Sequence, residues 1–304
     1  MSRLALAFVA LAAASVACAP PDGDDESLAS EGAIVGGQQS DDPRLEAVGA
    51  LVRMRSGSPR LFCTATLVAA DKVVTAKHCA IPSAGAASVV DTDEVYFYTG
   101  ADYRAPTHKA RVVTSRVASL DDGGWLGRGS DVAVMTLGEP LDVEPIAIAA
   151  SAPSEKDVGR VLQAVGYGVS DEARTHGKRL SGPLTLRATS GKPMQRVFAD
   201  RPAMDAHFGG LESADFVEAE RERLDALWSY ALLSGSEIYA GLGEGDVQPC
   251  VGDSGGPLLA KTARGYEITA VASASFKGWR TCSVAGEVYA TVSAPARELL
   301  GKRP

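Results

Sequence analysis

Cys250-Val251-Gly252-Asp253-Ser254-Gly255-Gly256-Pro257 is the stretch whose reading decides how this chain folds. Glycines on both sides of Ser254 permit close backbone approach, because they lack a Cβ. A serine hydroxyl is a weak nucleophile by itself and needs a base. The tetrahedral oxyanion formed on attack needs backbone N–H donors, which glycine leaves unobstructed. Taken alone the string is also an ordinary glycine turn, so its meaning depends on what the rest of the chain supplies.

The string fits Gly-x-Ser-x-Gly, the nucleophile elbow of α/β-hydrolases, in which the order along the chain is serine, acid, histidine. All four histidines, His78, His108, His176 and His207, precede Ser254, so that fold has no base where it needs one. The base must come from upstream. His78 closes Lys72-Val73-Val74-Thr75-Ala76-Lys77-His78-Cys79, an apolar strand that ends at a histidine beside a cysteine. The other three histidines sit among polar or loop-like residues and read as solvated surface. The third group has to be a carboxylate that fixes the imidazole tautomer and stabilises the imidazolium. Asp131 heads the apolar run Val132-Ala133-Val134-Met135-Thr136-Leu137, where burial beside a histidine makes chemical sense.

Outward from these residues, the 304-residue chain is 45% hydrophobic, enough for a sizeable core. Val-rich runs between turn-forming residues, frequent Gly and Pro and few aromatics favour many short strands, hence an all-β class. The formal charge of -8, with Lys and Arg scattered, gives no basic stripe, so nucleic acid is not an expected partner.

Residues 1–17 read as a signal peptide: Arg3, then an apolar run over 4–14 too short to span a bilayer, then small residues. A cut after Ala17 leaves Cys18 at the new terminus. The stretch is similar to a bacterial lipoprotein box, with Ser15 where Leu is usual, so a lipid anchor at Cys18 and free secretion both stay open. Residues 18–33, rich in Pro, Gly, Ser and acids, read as a linker or pro-segment. The body then carries Cys63, Cys79, Cys250 and Cys282, an even set that fits export and two disulfides, with three pairings possible. There is no Cys-x-x-Cys and no nearby His pair, so no metal site is expected.

Together the motifs resemble those of the trypsin and chymotrypsin family of serine proteases over residues 34–304. Ile34-Val35-Gly36-Gly37 is similar to the N-terminus made on activation, Thr75 to Cys79 to the histidine motif, Asp131-Val132-Ala133-Val134 to the aspartate motif and Gly252 to Pro257 to the serine motif. Gly166-Tyr167-Gly168 and Val288-Tyr289 resemble the mid-chain and last-strand motifs. The resemblance implies two six-stranded antiparallel β-barrels with the active site between them and a short C-terminal helix over 294–300. It implies a secreted endopeptidase with catalytic His78, Asp131 and Ser254 and an acyl-enzyme intermediate, acting on protein or peptide substrates without a cofactor. It further implies disulfides Cys63–Cys79 and Cys250–Cys282, an oxyanion hole from the Gly252 and Ser254 N–H groups, and an ion pair between the freed Ile34 ammonium and Asp253.

Departures from the family pattern set further expectations. Ala33 precedes Ile34 where many relatives have Arg or Lys, so the activating protease is expected to cut after small residues, unless the chain cuts itself. Lys77 replaces a usual Ala beside the base, facing either solvent or His78. Counting back from Ser254 puts Gln248 on the pocket floor, where trypsins carry Asp. Counting from Val288-Tyr289 puts Glu287 where Gly usually lines the pocket, which favours a basic residue before the cut; a slip of one makes Gly286 the match and turns Glu287 outward. Ser273-Ala274-Ser275 stands where relatives pair with substrate, and Ser275 narrows the pocket against bulky aromatics. An insertion between Gly168 and Ile238 is expected to hold a helix from Asp215 and Glu218 to Tyr230, with Val217, Leu224, Trp228 and Ala231 on one face. Tyr239 replaces a frequent cysteine, so one common disulfide is absent. The alternative reading is a catalytically inactive, protease-like binding protein, and a weaker one is an esterase.

Overall fold

A computed structural model describes residues 34–40, 42–81, 94–118, 130–169, 176–276, 278, 282 and 285–301. The expected signal peptide, Cys18 and the linker lie outside the described residues.

After a short β1 (Gln38–Gln39) come β2 (Val48–Arg55), β3 (Ser58–Ala69), β4 (Lys72–Thr75), helix α1 (Lys77–Ala80), β5 (Val95–Tyr98), β6 (Lys109–Val117) and β7 (Ala133–Leu137). The order β2-β3-β4-β7-β6-β5 closes on itself through antiparallel pairs, the last from Ala50 opposite Tyr98 to Arg53 opposite Val95. The β2–β3 hairpin turns on Ser56 and Gly57, both at positive φ (49° and 79°), the two-residue turn whose twist matches paired strands. Along β6 exposure alternates at its start, Lys109 and Arg111 outward and Ala110 and Val112 inward, as a wall with one wet face requires.

The second half runs through β8 (Ala147–Ile148), β9 (Val161–Gly166), β10 (Leu180–Ala188), helices α2 (Met194–Val197), α3 (Arg201–Leu211), α4 (Ala214–Ala219) and α5 (Arg221–Ser229), then β11 (Glu237–Ala240), β12 (Pro257–Thr262), β13 (Gly265–Ser275), β14 (Glu287–Thr291) and α6 (Ser293–Leu299). Strands β9, β10, β11, β14, β13 and β12 form a second closed ring, sealed where β12 meets β9. β1 adds to β10, and β8 runs parallel to β13. The expected two six-stranded antiparallel barrels and the C-terminal helix are both present, as are the disulfides Cys63–Cys79 and Cys250–Cys282.

The insertion differs from expectation. In place of one helix to Tyr230 there are two, α4 and α5, broken at Glu220, and the cap is Ser213, whose Oγ accepts from Phe216 N at 3.1 Å. Leu224 is buried as expected, but Phe216 and Leu227 complete the face, and Ala231 is exposed. Helix α3 was not anticipated, although Asp200-Arg201-Pro202 carries its signal: Asp200 caps Ala203 N at 2.8 Å and Pro202 sits in the first turn, where no N–H is missed. These helices pack on the outside of the second barrel, in a cluster of Met204, Phe208, Phe216 and Leu224 against Tyr239, Phe276 and Val288.

The barrels are joined by Tyr167. It follows β9 of the second barrel, and its ring lies wholly buried in a core cluster built mostly from first-barrel strands. Its hydroxyl faces two first-barrel carbonyls, Gly100 O at 2.5 Å and Val48 O at 3.1 Å. Replacing Tyr167 with Phe should leave a buried carbonyl without its hydroxyl donor and cost about 1–3 kcal/mol of unfolding free energy. Urea denaturation reads this directly, and an unchanged midpoint would mean that the hydroxyl does not tie the barrels.

Candidate active site

The site is built from the ends of paired strands. β4 and β7 pair antiparallel, with Thr75 opposite Ala133, so the residues just beyond each strand emerge side by side. α1 lifts His78 off the end of β4, and Asp131 stands two residues before β7. Asp131 is fully buried and the His78 side chain is 21% exposed. Asp131 Oδ1 accepts from His78 N at 2.9 Å, and Oδ2 lies 2.8 Å from His78 Nδ1. Ser273 Oγ also donates to Oδ2, at 2.6 Å. A carboxylate can be buried only when so supplied with donors. As an acceptor, it fixes the imidazole with its proton on Nδ1, leaving the Nε2 lone pair outward.

The Ser254 turn, from the second barrel, is pressed onto these strands. Ser254 O accepts from Thr64 N of β3 at 2.8 Å, and Thr64 Oγ1 donates to Gly252 O at 2.9 Å. Gly252 (φ 99°) and Gly255 (φ 76°) adopt backbone that side chains rarely tolerate. A Cβ on Gly255 would overlap Thr75 Oγ1 and come within 2.8 Å of Ala76 N, two residues before His78. Cys79, bridged to Cys63, sets its sulfur 3.7 Å from Ser254 O. Thr64 and Thr75, which clasp the turn, carry no sequence signal that separates them from other strand threonines.

Behind Ser254, Asp253 is buried and accepts N–H groups from Cys250 and Gly168, each at 2.8 Å, and from Ile34. A Cβ on Gly166 would overlap Asp253 Oδ1, and one on Gly168 would reach 2.6 Å from Asp253 N, which explains both glycines of the Gly-Tyr-Gly motif. Ile34 is 1% exposed, and Val35 and Gln248 exchange two backbone bonds of 2.9 Å that dock the segment. Removal from water pushes the Asp253 carboxyl up to about 7, against the pull of its three N–H donors.

The expected pocket residues fall on neighbouring strands. Ser275 on β13 lies opposite Glu287 on β14. Glu287 is 6% exposed and shares a strand face with Tyr289 of the barrel core, while Val288 points into the helical cluster. The outward alternative for Glu287 is therefore corrected: the residue is buried. Gly286 has φ 69°, and a Cβ there would meet the Tyr239 hydroxyl at 2.6 Å, so contact accounts for that glycine. Gln248 is partly buried. The Ser273 side chain serves Asp131, which its motif position did not reveal. Lys77 is 2% exposed and does not face solvent. Among the described residues, the one grouping with metal-like spacing is Cys63, His78 and Cys79, whose two sulfurs are bonded to each other in one disulfide.

A family model described as trypsin matches residues 34–201, over half of the chain. The match takes in Ile34, His78 and Asp131, and Ser254 and the pocket residues lie beyond it.

A carboxyl raised by folding binds its proton more tightly in the folded state. Its contribution to stability is therefore full below 3.8 and lost as pH rises through about 7. Urea unfolding of the uncut chain between these pH values should show this loss, and Asp253→Asn should lack it. Identical slopes for the two proteins would contradict the burial argument.

Proposed function

The chain belongs to the trypsin family of serine proteases, and from that premise we propose that it is a secreted endopeptidase with the triad His78, Asp131 and Ser254. The observation that carries this reading is the doubly bonded His78–Asp131 pair lying against the Ser254 turn.

His78 Nε2 takes the Ser254 Oγ proton as the hydroxyl attacks a peptide carbonyl. Asp131 holds the tautomer and stabilises the imidazolium, with Ser273 fixing the carboxylate. The N–H groups of Gly252 and Ser254 receive the oxyanion, and each such donor is worth about 100–1,000-fold in kcat. The amine leaves with the proton from His78. Water then repeats the sequence on the acyl-enzyme, and Ser254 is restored.

Cleavage before Ile34 would put an ammonium beside Asp253, where only a peptide N–H now points. The new charge pairs with a carboxyl that burial otherwise drives toward neutrality, so the cut reinforces the turn carrying the oxyanion donors. The two disulfides support export to an oxidising compartment. No helix among the described residues is long and apolar enough to cross a membrane.

The pocket follows from Ser275 and Glu287. A carboxylate buried there favours Lys or Arg before the scissile bond, with Gln248 at the floor, and Ser275 disfavours aromatic side chains. Protein beginning at Ile34 should cleave a peptide mixture after basic residues, and Ser254→Ala should not. Glu287→Gln should lower kcat/KM for basic substrates about 100-fold, since a buried charge loses its partner. Best cleavage after aromatic residues would overturn the pocket assignment. Folded, correctly processed protein that cleaves nothing would point to the inactive binding protein.

A further inference from the structure

The helical insertion between β10 and β11 does not cover the second barrel evenly. Its apolar residues Met204, Phe208, Phe216 and Leu224, each fully buried, gather over the end of β13, the start of β14 and Phe276 and Ala285 beside them. The partners are Ala274, Phe276, Ala285 and Val288. Ala274 and Phe276 flank Ser275, and Ala285 and Val288 bracket Gly286 and Glu287.

Phe276 is held on several sides. Phe208 stacks on it with ring centres 6.3 Å apart and planes 8° from parallel, Phe216 meets it edge-on at 6.4 Å, and the Arg223 guanidinium lies 4.7 Å over its ring. Such contacts restrain ring position as well as removing surface from water. Tyr239 donates its hydroxyl to Ala285 O, in place of a cysteine that could have formed a covalent tie. Beside the floor, His207 and Leu211 of α3 line a cavity of about 200 Å³ together with Gln248, Pro249 and Gly286, so the helices bear on the pocket through Phe276 and not through Gln248.

We propose that this insertion braces the specificity pocket, with Phe208 as a positioning residue that holds the Ser275 and Glu287 strands at the spacing the substrate side chain requires. The inference rests on the reading that Ser275 and Glu287 line that pocket. Phe208 touches no substrate; it acts through Phe276. Losing its stacking should weaken binding of the side chain before the cut and leave the chemistry at Ser254 intact.

The test uses the protein that begins at Ile34 and the peptide it cleaves best. KM and kcat are measured beside the rate at which a small phosphonofluoridate, which does not need the pocket, labels Ser254. Phe208→Leu should raise KM about tenfold and leave kcat and labelling within about twofold. An unchanged KM, or labelling that falls in step with turnover, overturns the proposal. If Phe208→Leu does not fold, Arg223→Gln decides at an exposed position: KM up about threefold supports the brace, and no change overturns it. Glu287→Gln is run in parallel. If it raises KM and the brace variants do not, the brace alone is wrong; if it too leaves KM unchanged, the pocket reading falls and the brace falls with it.

Discussion

Ser254 belongs to the second barrel, and His78 and Asp131 belong to the first. What brings them together is the seating of one turn, residues 250–256, on the walls of the other barrel. Thr64 grips the turn from β3 by two hydrogen bonds, and Gly255 fits against Thr75 only because it has no side chain. Tyr167 anchors the opposite side by placing its ring in a core cluster built mostly from first-barrel strands. The proposed chemistry depends on this clasp more than on any property of either barrel alone, since each barrel closes its own hydrogen bonds without reference to the other.

Two carboxylates are buried close to the clasp, and their partners suit different tasks. Asp131 has a histidine ring, a backbone N–H and a hydroxyl around it, an arrangement fitted to holding an imidazole in one tautomer. Asp253 has only peptide N–H groups, and burial outweighs them. A group so placed responds to a positive charge arriving beside it. In the proposed scheme that charge is the new terminus at Ile34, so one peptide cut is read by a carboxyl already positioned at the oxyanion turn.

In the proposed scheme the helical insertion extends this logic to the pocket. The last residue of β13 and the first of β14 pair with each other, and β14 pairs on to β11, but backbone pairing alone leaves their outer faces to be covered. In this chain the end of β13 and the start of β14 pack against the cluster of Phe208 and Phe216. Placing apolar helices behind a wall gives it stiffness without a covalent bond, at the expense of a longer chain to fold.

The strands, their class and the triad candidates were legible in the chain because they rest on local patterns: alternating Val-rich runs, a histidine closing a strand, glycines around a serine. The position of each histidine relative to Ser254 was enough to set aside the α/β-hydrolase order. Helix α3 was also written locally, in Asp200 and Pro202, whereas the break at Glu220 has no Gly or Pro to mark it. Other decisions came from residues far apart in sequence. Ser273 reaches Asp131 across 142 positions, Gly166 and Gly168 are glycines because Asp253 lies against them, and Glu287 is buried where β14 pairs with Ser275 on one side and Ala240 on the other. Sequence determines what each segment prefers by itself; which side chains share a buried space is decided only when the barrels close and the turn between them is seated.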